Sequence, residues 1–155
     1  MKNTNTLYSI LWIFSPIILG LGSSALFITR DQIPKVRSKW NPPGWVFGVV
    51  WPILYLLLGY SSYLVWQEKN SDKSNQNILE KYSIHLVLLL LWWPYFVYFP
   101  NAMFATGSLL LLAISAVYIG WNFYKINKTA GLCWFPYTIW LFFATFLTSQ
   151  TIYTK

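Results

Sequence analysis

One histidine, one cysteine and four carboxylates are all that this chain offers to conventional acid–base, nucleophilic or metal chemistry. The acids, Asp31, Glu68, Asp72 and Glu80, lie in polar stretches between apolar runs, so no carboxylate sits inside a run to relay protons. Cys133 is the single cysteine and can build neither a disulfide framework nor a thiolate cage. No nucleophile has a base at suitable spacing, and no catalytic residue is assigned. His85, one turn into an apolar run, has two readings. It could be an axial ligand to haem iron, or a histidine hydrogen-bonded at headgroup depth, which is the commoner role.

What the chain has in quantity is aromatic surface at helical spacing. His85, Leu89, Trp92 and Phe96 follow one another by four, three and four, and so share a helix face. Tyr137, Trp140, Ala144 and Thr148 do the same further on, and Trp51 pairs with Tyr55 at four. Such faces more often pack helix against helix than hold a ligand. Ala and Thr on an aromatic face leave room beside flat rings, however, and a planar apolar ligand with a polar edge would suit that gap.

The elements that carry these faces follow from composition. Of 155 residues, 56% are hydrophobic, 21% aromatic and only 10% charged, whereas a soluble domain carries about 25% charged residues. Five runs are free of formal charge: Leu7–Ile28, Trp45–Trp66, Tyr82–Phe99, Ala102–Tyr124 and Ala130–Tyr153. A helix rises ~1.5 Å per residue, so each can cross a hydrocarbon core of ~30 Å. The Leu88–Leu91 and Leu109–Leu112 runs lack the alternation of a membrane β-barrel. The expectation is an all-α integral membrane protein, a five-transmembrane-helix bundle forming a single domain over residues 1–155, with helices near 7–28, 45–66, 82–99, 102–124 and 130–153. The first run could instead be a signal peptide, since Lys2 precedes it and Gly22-Ser23-Ser24-Ala25 resembles a cleavage zone. It is longer than a typical signal core and continues past the small residues, which favours a span.

Pro16, Pro52, Pro94 and Pro136 interrupt four of the runs and are expected to kink them. Pro42-Pro43 keeps the chain before Gly44 extended, and Trp40 and Trp45 bracket that turn as a membrane entry motif. Trp51 is too deep for an interfacial ring and is expected inside the bundle. The connector Thr29–Gly44 is basic, Gln67–Lys81 reads as a solvated loop, and Pro100-Asn101 forces a hairpin. The net charge of +7 lies in connectors, where it meets anionic headgroups, so no nucleic-acid partner is expected. Six basic residues against five on the two sides choose no orientation and no particular membrane.

The sequence Trp40-x-Pro42-Pro43-x-Trp45-x-Phe47, followed by Val50-Trp51-Pro52-x-Leu54-Tyr55, resembles the signature of the TspO/MBR family of translocator proteins and tryptophan-rich sensory proteins. Gly59-Tyr60-x-x-Tyr63-Leu64-Val65-Trp66, Trp92-x-Pro94-x-Phe96, Ala130-Gly131-Leu132 and Pro136-Tyr137-x-x-Trp140-x-x-Phe143-Ala144 extend the resemblance over nearly the whole chain. It implies a five-helix receptor or transporter-like protein, often a homodimer, that binds protoporphyrin IX, haem and cholesterol-like sterols between its helices. Porphyrin or haem enters as ligand, and no cofactor is required. Matched by position, the pocket would be lined by Trp51, Leu89, Trp92, Phe96, Trp140, Ala144 and Thr148. Three departures stand out: Asp31-Gln32 in place of Trp-Tyr in the first connector, and Leu89 and Thr148 each in place of Asn. The usual Gln one turn before Leu89 is His85 here.

Two alternatives accompany this reading. Some relatives are proposed to degrade bound porphyrin photo-oxidatively, with Trp51 and Trp140 as the actors here; a stress-regulatory protein docking a membrane partner would bind no tetrapyrrole at all. Leu147, Tyr153 and Lys155 also fit a loose sterol-contact pattern at the C-terminal helix end. Gly44-x-x-x-Gly48 and Ala102-x-x-Ala105 supply short small-residue stretches for a homodimer.

Overall fold

Pro43 stands in an extended conformation (φ −54°, ψ 143°) immediately before a helix, and its carbonyl accepts the Val46 N–H at 2.9 Å. The proline pair thus sets where that helix starts, since its fixed φ suits an entry and it needs no donor there. A computed structural model describes residues 2–27, 40–68, 73–98 and 101–153 of the chain. Over these it forms five helices: α1 (Lys2–Phe27), α2 (Gly44–Gln67), α3 (Lys73–Tyr98), α4 (Ala102–Ile126) and α5 (Lys128–Tyr153). Most of the Thr29–Gly44 connector, with Asp31 and Gln32, lies outside the described residues, as do Pro100 and Lys155.

Helix α3 differs from the expected boundary. It begins at Lys73, inside the stretch that reads as a solvated loop. Residues 73–81 contain neither Gly nor Pro and are rich in Lys, Gln, Leu and Glu, all good helix formers. Ile78, Leu79 and Tyr82 are buried while Gln76, Asn77, Glu80 and Lys81 face outward, so this end is amphipathic rather than apolar. Hydropathy alone places the boundary too late.

The helices form a closed ring in the order α1, α2, α5, α4, α3 and back to α1, with α2 also touching α3 and α4. Helices α2, α4 and α5 are each long and apolar enough to cross a membrane, and α1 carries a shorter apolar stretch, Ile13–Gly22. The outward surface is apolar, with Ile84, Val87, Leu88, Leu111, Ile114 and Val117 all exposed. Only a hydrocarbon solvent makes that surface favourable. The chain is therefore a multi-pass, all-α integral membrane protein.

Close approach of backbones holds the ring together where hydrophobic drive is weak. Gly59 of α2 lies so near α1 that a Cβ there would sit 2.0 Å from the Ile13 carbonyl oxygen. At the α4–α5 turn, a Cβ on Gly131 would lie 2.4 Å from the Tyr124 Cα. That turn is a single residue, Asn127, whose side-chain oxygen accepts the Ala130 N–H at 3.1 Å and whose own N–H bonds the Phe123 carbonyl at 2.8 Å. Its amide nitrogen also reaches Glu68 at 3.2 Å, tying the end of α2 to the turn.

Candidate functional site

At the core of the α2–α3–α4–α5 contact lies a box of rings. Trp134 meets Tyr82, Phe123, Tyr137 and His85 with centroids 5.5–6.0 Å away, all near edge-to-face, the preferred arrangement for aromatic quadrupoles. Its indole N–H donates to Ser61 Oγ at 2.9 Å, and that hydroxyl donates to the Ala130 carbonyl at 2.9 Å. The donor that accompanies so large a buried ring is thereby satisfied.

His85 closes the box. It is 2% exposed, with Nδ1 2.7 Å from Ser115 Oγ and Nε2 2.7 Å from the Tyr137 hydroxyl. The Ser115 hydroxyl already donates to the Leu112 carbonyl at 2.8 Å, so it can only accept from Nδ1–H. Nε2 is then left as acceptor for the Tyr137 O–H. The tautomer follows from this network. A single directed chain runs from α5 through α3 to α4, and both imidazole nitrogens are engaged, which leaves neither to ligate haem iron. The histidine is hydrogen-bonded as expected, with both partners on neighbouring helices inside the bundle. Among the described residues, no group of three His, Cys, Asp or Glu side chains could hold a metal ion.

The aromatic residues singled out by spacing fall into two pairs. Trp51 and Trp140 meet edge to face with centroids 6.5 Å apart, across the α2–α5 contact. Phe47 lies edge-on to Trp140 at 5.6 Å, Tyr55 stacks on Trp51 at 5.6 Å, and Phe143 follows Trp140 at 5.5 Å. Trp92 and Phe96 stack on α3 with centroids 5.0 Å apart. The Trp92 N–H is held by Ser108 Oγ at 3.0 Å and the Ala105 carbonyl at 3.3 Å, both on α4. Trp140 differs. Its Nε1 is buried and, among the described residues, has no hydrogen-bond partner, an arrangement that costs about 1–3 kcal/mol unless something meets it.

Beside Trp140 an apolar cavity of about 450 Å³ lies between α2 and α5 and is open to the outer surface, where Ile53 and Ile139 are exposed. That lies within the ~300–1,000 Å³ of typical ligand sites. Val50, Ile53, Leu54 and Leu57 line one wall, and Pro136, Ile139, Trp140 and Phe143 the other. Of the residues expected from spacing and resemblance, only Trp140 lines it. Sequence reasoning misses the aliphatic lining, whose side chains carry no chemical signal. The clue available was their helical spacing, Val50–Leu54–Leu57 and Pro136–Ile139/Trp140–Phe143.

The remaining expected positions are dispersed. Leu89 and Phe96 are buried, and Ala144 is half-buried against the core. Thr148 donates its hydroxyl to the Ala144 carbonyl at 2.8 Å. Leu147 is 3% exposed and turned into the bundle, while the Tyr153 side chain lies outside the described residues. Trp40 and Trp45 are both exposed, with Pro42 half-buried between them.

Comparison with known proteins agrees with the architecture. Residues 12–154 match the TspO/MBR family. The human translocator protein is 36% identical over 114 residues, covering 72% of this chain and 66% of that protein. The tryptophan-rich sensory protein of Cereibacter sphaeroides is 29% identical over 116 residues, 75% of this chain and 71% of its own length. The tryptophan-rich protein TspO of Archaeoglobus fulgidus is 26% identical over 135 residues, 84% and 86% of the two chains. The match thus spans just under two thirds of the human protein's length. With the five-helix ring, the matched residues and these relatives taken together, the chain belongs to the TspO/MBR family.

Proposed function

We propose that this membrane protein binds a porphyrin, protoporphyrin IX or haem, in the space between its helices where Trp51, Trp140 and the α2–α5 cavity adjoin. Cholesterol-like sterols form a second ligand class for the same apolar space. The observation that carries the reading is Trp140: a ring flanked by Trp51, Phe47 and Phe143, bordering an apolar cavity, with a buried N–H that has no acceptor among the described residues. A flat apolar macrocycle would stack on such rings, and a carboxylate or carbonyl at its edge would accept that N–H. Trp92, Phe96, Leu89, Ala144 and Thr148 supply the wall toward α3 and along α5 in this reading. Among the described residues, those that line the cavity and flank Trp51 and Trp140 are apolar or aromatic, which favours binding of the ligand over its turnover. The names of the relatives, translocator protein and sensory protein, point the same way.

Titrating purified protein with protoporphyrin IX in detergent, in light and in darkness, tests this. Saturable quenching of tryptophan emission without a new absorbing product is expected in both conditions. A light-dependent product would establish the photo-oxidative alternative. Lack of any saturable quenching would remove tetrapyrrole binding altogether.

A further inference from the structure

Where α3 begins and α4 ends, the outward surface passes from aliphatic to aromatic to cationic within a few turns. On α4, Ile114 and Val117 are exposed, then Tyr118 and Trp121, and then Lys125. Tyr118, Trp121 and Lys125 are spaced by three and four and so share one face. This order is that of a membrane boundary, with rings at the headgroup level and charge beyond. Lys81 of α3 comes alongside: its ammonium donates to the Tyr118 hydroxyl at 3.0 Å and lies 5.1 Å from that ring's centroid. Lys125 places its ammonium 5.7 Å from the Trp121 centroid.

Two cations therefore stand over adjacent rings. Among the described residues, neither is paired with a carboxylate. The nearest acid in sequence, Glu80, is exposed, and Glu68 accepts from Asn127 at the α4–α5 turn. Because Tyr118 accepts from Lys81, its own O–H remains available to donate.

We propose that this α3–α4 seam is a specific site for the headgroup of an anionic phospholipid. The phosphate sits against the Lys81 ammonium and the Tyr118 O–H, Lys125 closes over it from the outer side of Trp121, and the acyl chains run down the exposed Val117–Ile114 face. Charge complementarity selects the lipid class. A zwitterionic headgroup brings its own cation to a place that already holds two, whereas an anionic one carries the missing negative charge.

Native mass spectrometry of the full chain in mild detergent, with phosphatidylglycerol or phosphatidylcholine of matched chains, tests the assignment. The wild type should retain phosphatidylglycerol preferentially, a comparison that needs no variant. Lys81→Gln and Lys125→Gln should each weaken that retention by about fivefold. Tyr118→Phe should weaken it less, and Lys128→Gln, which removes the same charge from α5, should leave it unchanged. Equal retention of the two lipids would overturn the proposal, as would an equal loss in Lys128→Gln. Full competition by soluble glycerol phosphate would assign the seam to free phosphate instead of lipid, and so overturn it too.

Discussion

The Tyr137 hydroxyl of α5 and His85 Nε2 of α3 lie 2.7 Å apart in the interior, and His85 passes the connection on to Ser115 of α4. Three neighbouring helices are joined through one imidazole. Removing the hydroxyl with Tyr137→Phe leaves Nε2 buried without a donor and should lower stability by about 1–2 kcal/mol, the range for such a loss inside a membrane bundle. Thermal unfolding in detergent reads this directly. An unchanged midpoint would mean that the chain of hydrogen bonds contributes nothing.

Gly59→Ala should be among the more damaging single-methyl additions. The new Cβ would fall 2.0 Å from a backbone oxygen of Ile13, which cannot rotate away, so α1 must move off α2. Overpacking of this kind costs about 1–3 kcal/mol. Gly107→Ala is the comparison, because a Cβ there has no neighbour within 4 Å and it sits inside α4. It should be neutral, or gain up to about 1 kcal/mol from helix propensity. Similar thermal midpoints for the two variants would contradict the close α1–α2 approach.

Leu89, which the resemblance matches to an asparagine, is 3% exposed. Leu89→Asn should therefore destabilise the ligand-free protein, since a buried amide without partners costs about 1–3 kcal/mol. If the α3 face borders the porphyrin, added protoporphyrin IX should raise the melting temperature of the variant more than that of the wild type. An equal ligand-induced rise would remove Leu89 from the pocket wall.

Among the described residues, Gly44 and Gly48 are exposed and a Cβ at either would meet nothing within 4 Å, whereas Ala105 of the second small-residue stretch is fully buried. The first stretch is thus the one open to a second copy of the chain. A homodimer is predicted in mild detergent, and Gly48→Leu should shift the mass toward monomer. A wild type that is monomeric at all concentrations would contradict this.

The fold was largely legible in the sequence because a membrane admits few solutions: uncharged runs of sufficient length must be helices there. The early start of α3 was hidden because Lys73–Lys81 is polar, and only Ile78, Leu79 and Tyr82 betray its buried side. Spacing placed His85, Leu89 and Trp92 on one face correctly. It could not name the partners of His85, which lie 30 and 52 residues away on other helices. The aromatic half of the candidate site was legible through Trp51 and Trp140. The aliphatic half was not, since Val50, Leu54 and Ile139 look alike whether they line a cavity or fill a core.

In the proposed function Trp140 borders the porphyrin, and the affinity of Trp140→Leu for protoporphyrin IX decides whether it does. Stacking on one aromatic ring is worth ~1–3 kcal/mol in nucleic-acid complexes, and each 1.4 kcal/mol is tenfold. Quenching titrations should give a dissociation constant about tenfold weaker for folded Trp140→Leu than for the wild type. Trp121→Leu, at a ring that is 59% exposed on α4, should bind as the wild type does. Equal affinity in wild type and a folded Trp140→Leu would contradict the pocket.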